Sequence, residues 1–153
     1  MVSEERLKRN KSTQEFFTPA HIVAEMVEEV PNEFFSNLIP FREVGCGNGN
    51  IASQIVDKFK QYHNLEDILK NIQLADIMED NCIETIKRLC RDATVKVVDV
   101  PKEKIADGLI AMFEIDGIIV DWIVQADATK FMWWKKETFG NGLFEIEWRI
   151  KVY

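Results

Sequence analysis

The chain of 153 residues has little that would build a metal site or a disulfide framework. Its three cysteines, Cys46, Cys82 and Cys90, form no C-x-x-C pair, and its two histidines, His21 and His63, lie far apart. That pattern argues against structural zinc and against a cysteine-stapled scaffold. No run approaches the roughly 18 apolar residues of a membrane span. The opening MVSEERLKRNK is too charged for a secretory signal, so a cytoplasmic protein without membrane contact is expected. A basic surplus is also missing: 19 Lys and Arg stand against 26 Asp and Glu, for a net charge of −7. Without a basic footprint for counterion release, the chain by itself is expected to bind DNA only weakly, or through a partner chain.

What is present is a soluble-type mixture, 46% apolar and 29% charged, of a length suited to one domain over residues 1–153, with 1–12 as a charged arm. Thr18 to Glu29 reads as a helix, with Thr18 as cap, Pro19 at the first helical position and Ile22, Val23, Met26, Val27 and Val30 on one face. A second helix is expected over about 50 to 62, from the spacing of Ile51, Ile55, Val56, Phe59 and Tyr62. Ile72 to Asp76 reads as a buried strand. Asp80 then caps a helix whose apolar face is Ile83, Ile86, Leu89 and Cys90. Val95 to Val100 is a further strand, Pro101 to Phe113 a helix, and Ile118 to Gln125 a β-branched strand. From Phe144 the tail alternates apolar and polar residues, as a half-buried edge or antiparallel strand does. This order implies an α/β, three-layer, Rossmann-like domain with an incomplete, mostly parallel sheet. An incomplete sheet leaves an edge, for which self-association or a second subunit is the expected cover.

The most informative stretch is FREVGCGNGN. Gly45, Gly47 and Gly49 alternate between a short apolar segment and a helix, where residues without Cβ let a ligand approach the backbone. The dinucleotide fingerprint needs a third glycine where Asn50 stands, so the NAD pattern fails by one position. The spacing E-x-G-x-G-x-G, led by Glu43, suits S-adenosylmethionine instead. That cofactor has a sulfonium and an ammonium but no pyrophosphate, so a nearby carboxylate attracts rather than repels it. The plainer reading is three glycines in a surface turn. Asp76 ends the next apolar strand, where nucleotide-binding α/β domains place the acceptor for ribose hydroxyls; Glu79 and Asp80 are rivals for that role. Asp127 ends the strand VDWIVQADA, placed either to accept from an adenine amino group or to cap the next segment of chain.

Taken in order, TQEFFTPAHIVAEM, EVGCGNGN, LADIMEDNCIETIKRL and VQADATKF resemble the cofactor-binding half of adenine-specific DNA methyltransferases, especially those of restriction-modification systems and phages. The resemblance runs from about Thr13 to Phe131. It implies a class I methyltransferase fold. Phe17, Thr18 and Pro19 would lie over the methionine end of S-adenosylmethionine, and Glu43, Gly45, Cys46, Gly47, Asn48 and Gly49 would form the glycine motif. Asp76 would hold the ribose, with Ile77 and Met78 close to the adenine. Asp127 and Ala128 would meet the adenine amino group, with Phe131 packed on the ring.

Two departures bear on activity. Where the family usually has Asp-Pro this chain has Glu43 and Val44. The catalytic motif of that family, Asp or Asn followed by two prolines and Tyr or Phe, is absent, because no two of Pro19, Pro31, Pro40 and Pro101 are adjacent. The tail after Asp127 is also too short for the other half of a seven-stranded methyltransferase sheet. Phe131, Trp133, Trp134 and Phe139 form an aromatic group that either stacks bases or covers a sheet edge or subunit interface. Cys46 reads as a packing residue, with no histidine near in sequence to activate it. Three functions fit these residues: a methylase half that needs a partner, a non-catalytic S-adenosylmethionine binder or anti-restriction protein, and a small enzyme that cleaves the cofactor; a Rossmann-like domain for a different nucleotide is the residual alternative.

Overall fold

A computed structural model describes residues 18–99, 108–127 and 129–130. Its elements are α1 (Ala20–Glu28), α2 (Asn32–Ser36), β1 (Phe41–Val44), α3 (Asn50–Phe59), α4 (Leu65–Leu69), β2 (Ile72–Asp76), α5 (Glu79–Leu89), β3 (Val95–Asp99), β4 (Leu109–Ile115) and β5 (Ile118–Ala126). The expected alternating tail strand lies outside the described residues.

The strands form one sheet in the order β1-β2-β5-β4-β3. β1, β2 and β5 run parallel, with Glu43 opposite Leu74 and Leu74 opposite Ile123. β3 and β4 join antiparallel. The parallel half reflects chain length: a helix-bearing crossover separates β1 from β2, which lets the second strand return in the same direction. The antiparallel half comes from a two-residue turn. Asp116 and Gly117 have φ of 50° and 86°, the two positive values that a tight hairpin between right-twisted strands requires. Asp116 also ties the turn to β3, accepting at Oδ1 from the Thr94 amide at 2.8 Å. This hairpin overturns the helix expected over Pro101 to Phe113, since Leu109–Ile115 is a strand.

One core cluster joins the helices to a single face of the sheet. It includes Val23 and Val27 of α1, Phe35 of α2, Ile55, Val56 and Phe59 of α3, Cys82, Ile86 and Leu89 of α5, and Ile72, Leu74, Phe113 and Ile123 of the sheet. Phe35 meets Phe59 edge-on, with ring centroids 5.2 Å apart, an arrangement that adds about 1 kcal/mol beyond burial. Alternate strand positions, Ala75, Met112 and Val124, are buried too, on the opposite side of the pleat. The described layers are thus two, sheet and helices.

Helix ends differ in detail from expectation. Pro19 is the residue before α1 rather than its first residue, and so holds the cap position expected of Thr18. Ile22 and Met26 stay exposed, so the apolar stripe of α1 is narrower than its sequence. α3 stops at Phe59, leaving Tyr62 exposed. Asp80 sits in the first turn of α5, behind the cap position held by Met78. Among the described residues, no helix is long and apolar enough to cross a membrane.

Candidate functional site

The parallel strands place the C-terminal ends of β1, β2 and β5 on one edge of the sheet, where open α/β sheets bind their ligands. The loop leaving β1 is held left-handed at all three glycines, with φ of 75° at Gly45, 57° at Gly47 and 86° at Gly49. The Gly45 and Cys46 amides both donate to the Ala75 carbonyl, at 2.7 and 2.8 Å, pinning the loop to β2. The glycines serve different ends. A Cβ on Gly49 would stand 3.0 Å from Thr85 Oγ1 and 3.2 Å from Thr85 Cα, so Gly49 lets α5 pack close. Among the described residues, a Cβ on Gly45 would meet nothing within 4 Å, so they leave the space beside it open.

That space belongs to a cleft of about 50 Å³ lined, among the described residues, by Thr18, Glu43, Gly45, Cys46, Gly47, Asn48, Asn50 and Ile51. That is far below the range of about 300–1,000 Å³ for whole small-molecule pockets, so the cleft has room for no more than one end of a ligand. Asn50 ties its walls together. The Asn50 Nδ2 donates to the Thr18 carbonyl at 2.9 Å, and its Oδ1 accepts from Arg88 Nη1 at 2.6 Å.

Glu43 is the unusual member. Its Oε1 is shut off from solvent and has no hydrogen-bond partner among the described residues. Burial first, and the negative charge of Asp76 second, push the Glu43 carboxyl from 4.5 up to about 7. An ionised carboxylate left in this state is costly, and the group relieves the cost by holding its proton or by meeting a cation.

Asp76 has the opposite condition. Buried behind the loop, it accepts at Oδ2 from the Gly47 amide at 2.9 Å, and at Oδ1 from the Met78 amide at 2.9 Å and Asn81 Nδ2 at 3.2 Å. Its visible work is to hold the glycine loop against α5. Thr85 assists, donating from Oγ1 to the Gly47 carbonyl at 3.1 Å. Burial pushes the Cys46 thiol up to about 12, which leaves it a packing group rather than a nucleophile.

Glu43, Gly45, Cys46, Gly47, Asn48 and Thr18 therefore converge on one cleft, with Gly49 and Asp76 packed behind it. Pro19 opens α1 at the surface. Met78 is half-buried at the start of α5, and Ile77 is exposed on the same sheet edge, with Val44 also exposed there. Asp127 shares that edge but stands two strand spacings from β1, about 10 Å. Its Oδ1 accepts from the Thr129 amide and hydroxyl at 3.0 and 2.6 Å, bonds that hold its carboxyl below the usual range. Phe17, Ala128 and Phe131 lie outside the described residues. Sequence reasoning placed Asn50 only as the last residue of the glycine motif, and missed Asn81 and Thr85. The last two carry a legible signal, polar residues four apart on the face of α5 that also holds Cys82, Ile86 and Leu89.

Among the described residues no cluster of His, Cys, Asp or Glu is arranged to hold a metal ion. Among the described residues, the cleft lining carries one charged side chain, that of Glu43. Comparison of the chain with protein-family models, with curated proteins and with solved structures returns no match.

Proposed function

We propose that this chain binds S-adenosylmethionine as a methyltransferase-type domain, similar to the cofactor half of an adenine-specific DNA methyltransferase of restriction-modification or phage type. The carrying observation is Glu43: a buried carboxylate oxygen without a partner among the described residues, lining a cleft whose neighbouring Gly45 leaves room for a ligand end. S-adenosylmethionine supplies a cation for Glu43, and its carboxylate suits the positive end of α3, which begins at Asn50. Asp127, on the same sheet edge, is within reach of a ligand that extends across the end of β2. Ile77, 53% exposed beside it, offers an apolar surface for a flat ring.

In this reading the chain does not methylate DNA alone, because it has no Asp-Pro-Pro-Tyr-type motif. β1 is the sheet's edge among the described strands, whereas the first strand of a doubly wound fold is flanked on both sides. That free edge gives a second subunit or a second copy a place to join. The test is calorimetric titration with S-adenosylmethionine and then chemical identification of the recovered cofactor. Binding with intact cofactor supports the proposal, and methylation appearing only with a partner chain would establish the split enzyme. Binding with breakdown would make the chain a cofactor-cleaving enzyme, and no binding would overturn the reading.

A further inference from the structure

The half-buried Glu43 carboxyl has one oxygen, Oε1, shut off from solvent with no hydrogen-bond partner among the described residues, and an uncompensated charge there is disfavoured against holding a proton or meeting a cation. Among the described residues, the groups around it leave it no internal cation. From β2 comes Asp76, whose oxygens are taken by Gly47, Met78 and Asn81. From the loop comes Cys46, whose thiol stays protonated near neutral pH. α3 and the segment before α1 contribute the neutral Asn50, Ile51 and Thr18. Behind the loop, α5 brings Thr85 and the buried thiol of Cys82. Arg42 is occupied with Gln73 Oε1 at 2.8 Å, and Arg88 is held on the Asn50 amide. His63 is bonded to the Phe35 and Ser36 carbonyls.

We propose that this cleft exchanges a proton for a cation: when the ammonium end of a ligand enters, Glu43 gives its proton to the solvent and pairs with the ammonium as a carboxylate. The inference rests on the proposed function for the ligand's identity, and adds how that ligand is taken up. Ammonium entry lowers the proton affinity of Glu43, so affinity rises with pH while the ligand's own ammonium, of a type titrating near 8, remains charged. With the Glu43 carboxyl at about 7, binding at pH 6 should release about 0.9 proton and at pH 7 about 0.5. Affinity should rise about fivefold between those two values.

The experiment is calorimetry of the full chain with S-adenosylmethionine at pH 6 and pH 7, each in two buffers of different ionisation enthalpy, which gives the protons released per ligand bound. The same titration is run with 5′-methylthioadenosine, which lacks the ammonium. The expected result is release with the first ligand and none with the second, and the loss of both release and pH dependence in Glu43→Gln. Binding of S-adenosylmethionine without proton release would overturn this inference and leave the proposed function standing. Equal release by 5′-methylthioadenosine, or release retained by Glu43→Gln, would also overturn it. Failure of S-adenosylmethionine to bind at either pH would overturn both.

Discussion

Replacing Glu43 by glutamine should make the protein more stable, and more so at higher pH. The folded carboxyl titrates at about 7 against 4.5 when free, so between these values the folded state holds a proton that the unfolded state has released. Stability therefore falls as pH rises through that window and is lowest above it. A displacement of this size corresponds to about 3 kcal/mol at full value. Because the side chain is only half-buried, solvent screening reduces this to about 2 kcal/mol. Glutamine has nearly the same shape and no charge. Glu43→Gln should gain about 2 kcal/mol over wild type at pH 8 and about 1 kcal/mol at pH 5.5, where the unfavourable ionisation is partly suppressed. For a chain of this length the gain at pH 8 is a rise of about 4–8 °C in Tm. Urea unfolding at both pH values, with the slope checked for constancy, measures it. A gain of the same size at the two pH values, or a loss at pH 8, would refute the reasoning that Glu43 carries an uncompensated charge.

The two loop glycines should separate binding from folding. Gly49→Ala forces a Cβ onto Thr85 in addition to a left-handed φ and should cost about 2–4 kcal/mol of stability, read by denaturant unfolding. Gly45→Ala meets no atom of the described residues within 4 Å, should cost only about 1–2 kcal/mol, and should weaken S-adenosylmethionine binding in calorimetry by filling the cleft. Asp76→Asn puts an amide donor against the Gly47, Met78 and Asn81 donors and should cost about 1–3 kcal/mol, again by unfolding. It should also lower the pH window over which Glu43 affects stability, because one cause of its raised value is removed. Asp127→Ala should leave the unfolding midpoint near wild type yet weaken S-adenosylmethionine binding; unchanged affinity would remove Asp127 from the site.

Local rules were enough to place several elements. Ile72–Asp76 is a strand with the bounds its apolar run indicated, and the glycine loop leads into a helix at Asn50 as its spacing required. Both depend on neighbours in sequence: a short apolar run bounded by turn residues, and glycines where the backbone must turn left-handed. The strand at Leu109–Ile115 was legible too, through the Asp116-Gly117 turn, but LIAMFEI has no strict alternation and can be taken for a helix. Only the direction of pairing across that turn resolves it.

The sequence by itself therefore determined the α/β character, the cleft-forming loop and the acids at the ends of its strands, because these are written in residue type and short-range spacing. Tertiary structure alone decided what each acid does. Glu43, Asp76 and Asp127 are three similar carboxylates at strand ends, yet among the described residues one has a buried oxygen without a partner, one is filled by amide donors and one closes a surface turn. The difference lies in which distant donors the fold delivers to each oxygen. β2 between β1 and β5 is likewise a long-range outcome, since no local pattern states which strand will find which neighbour.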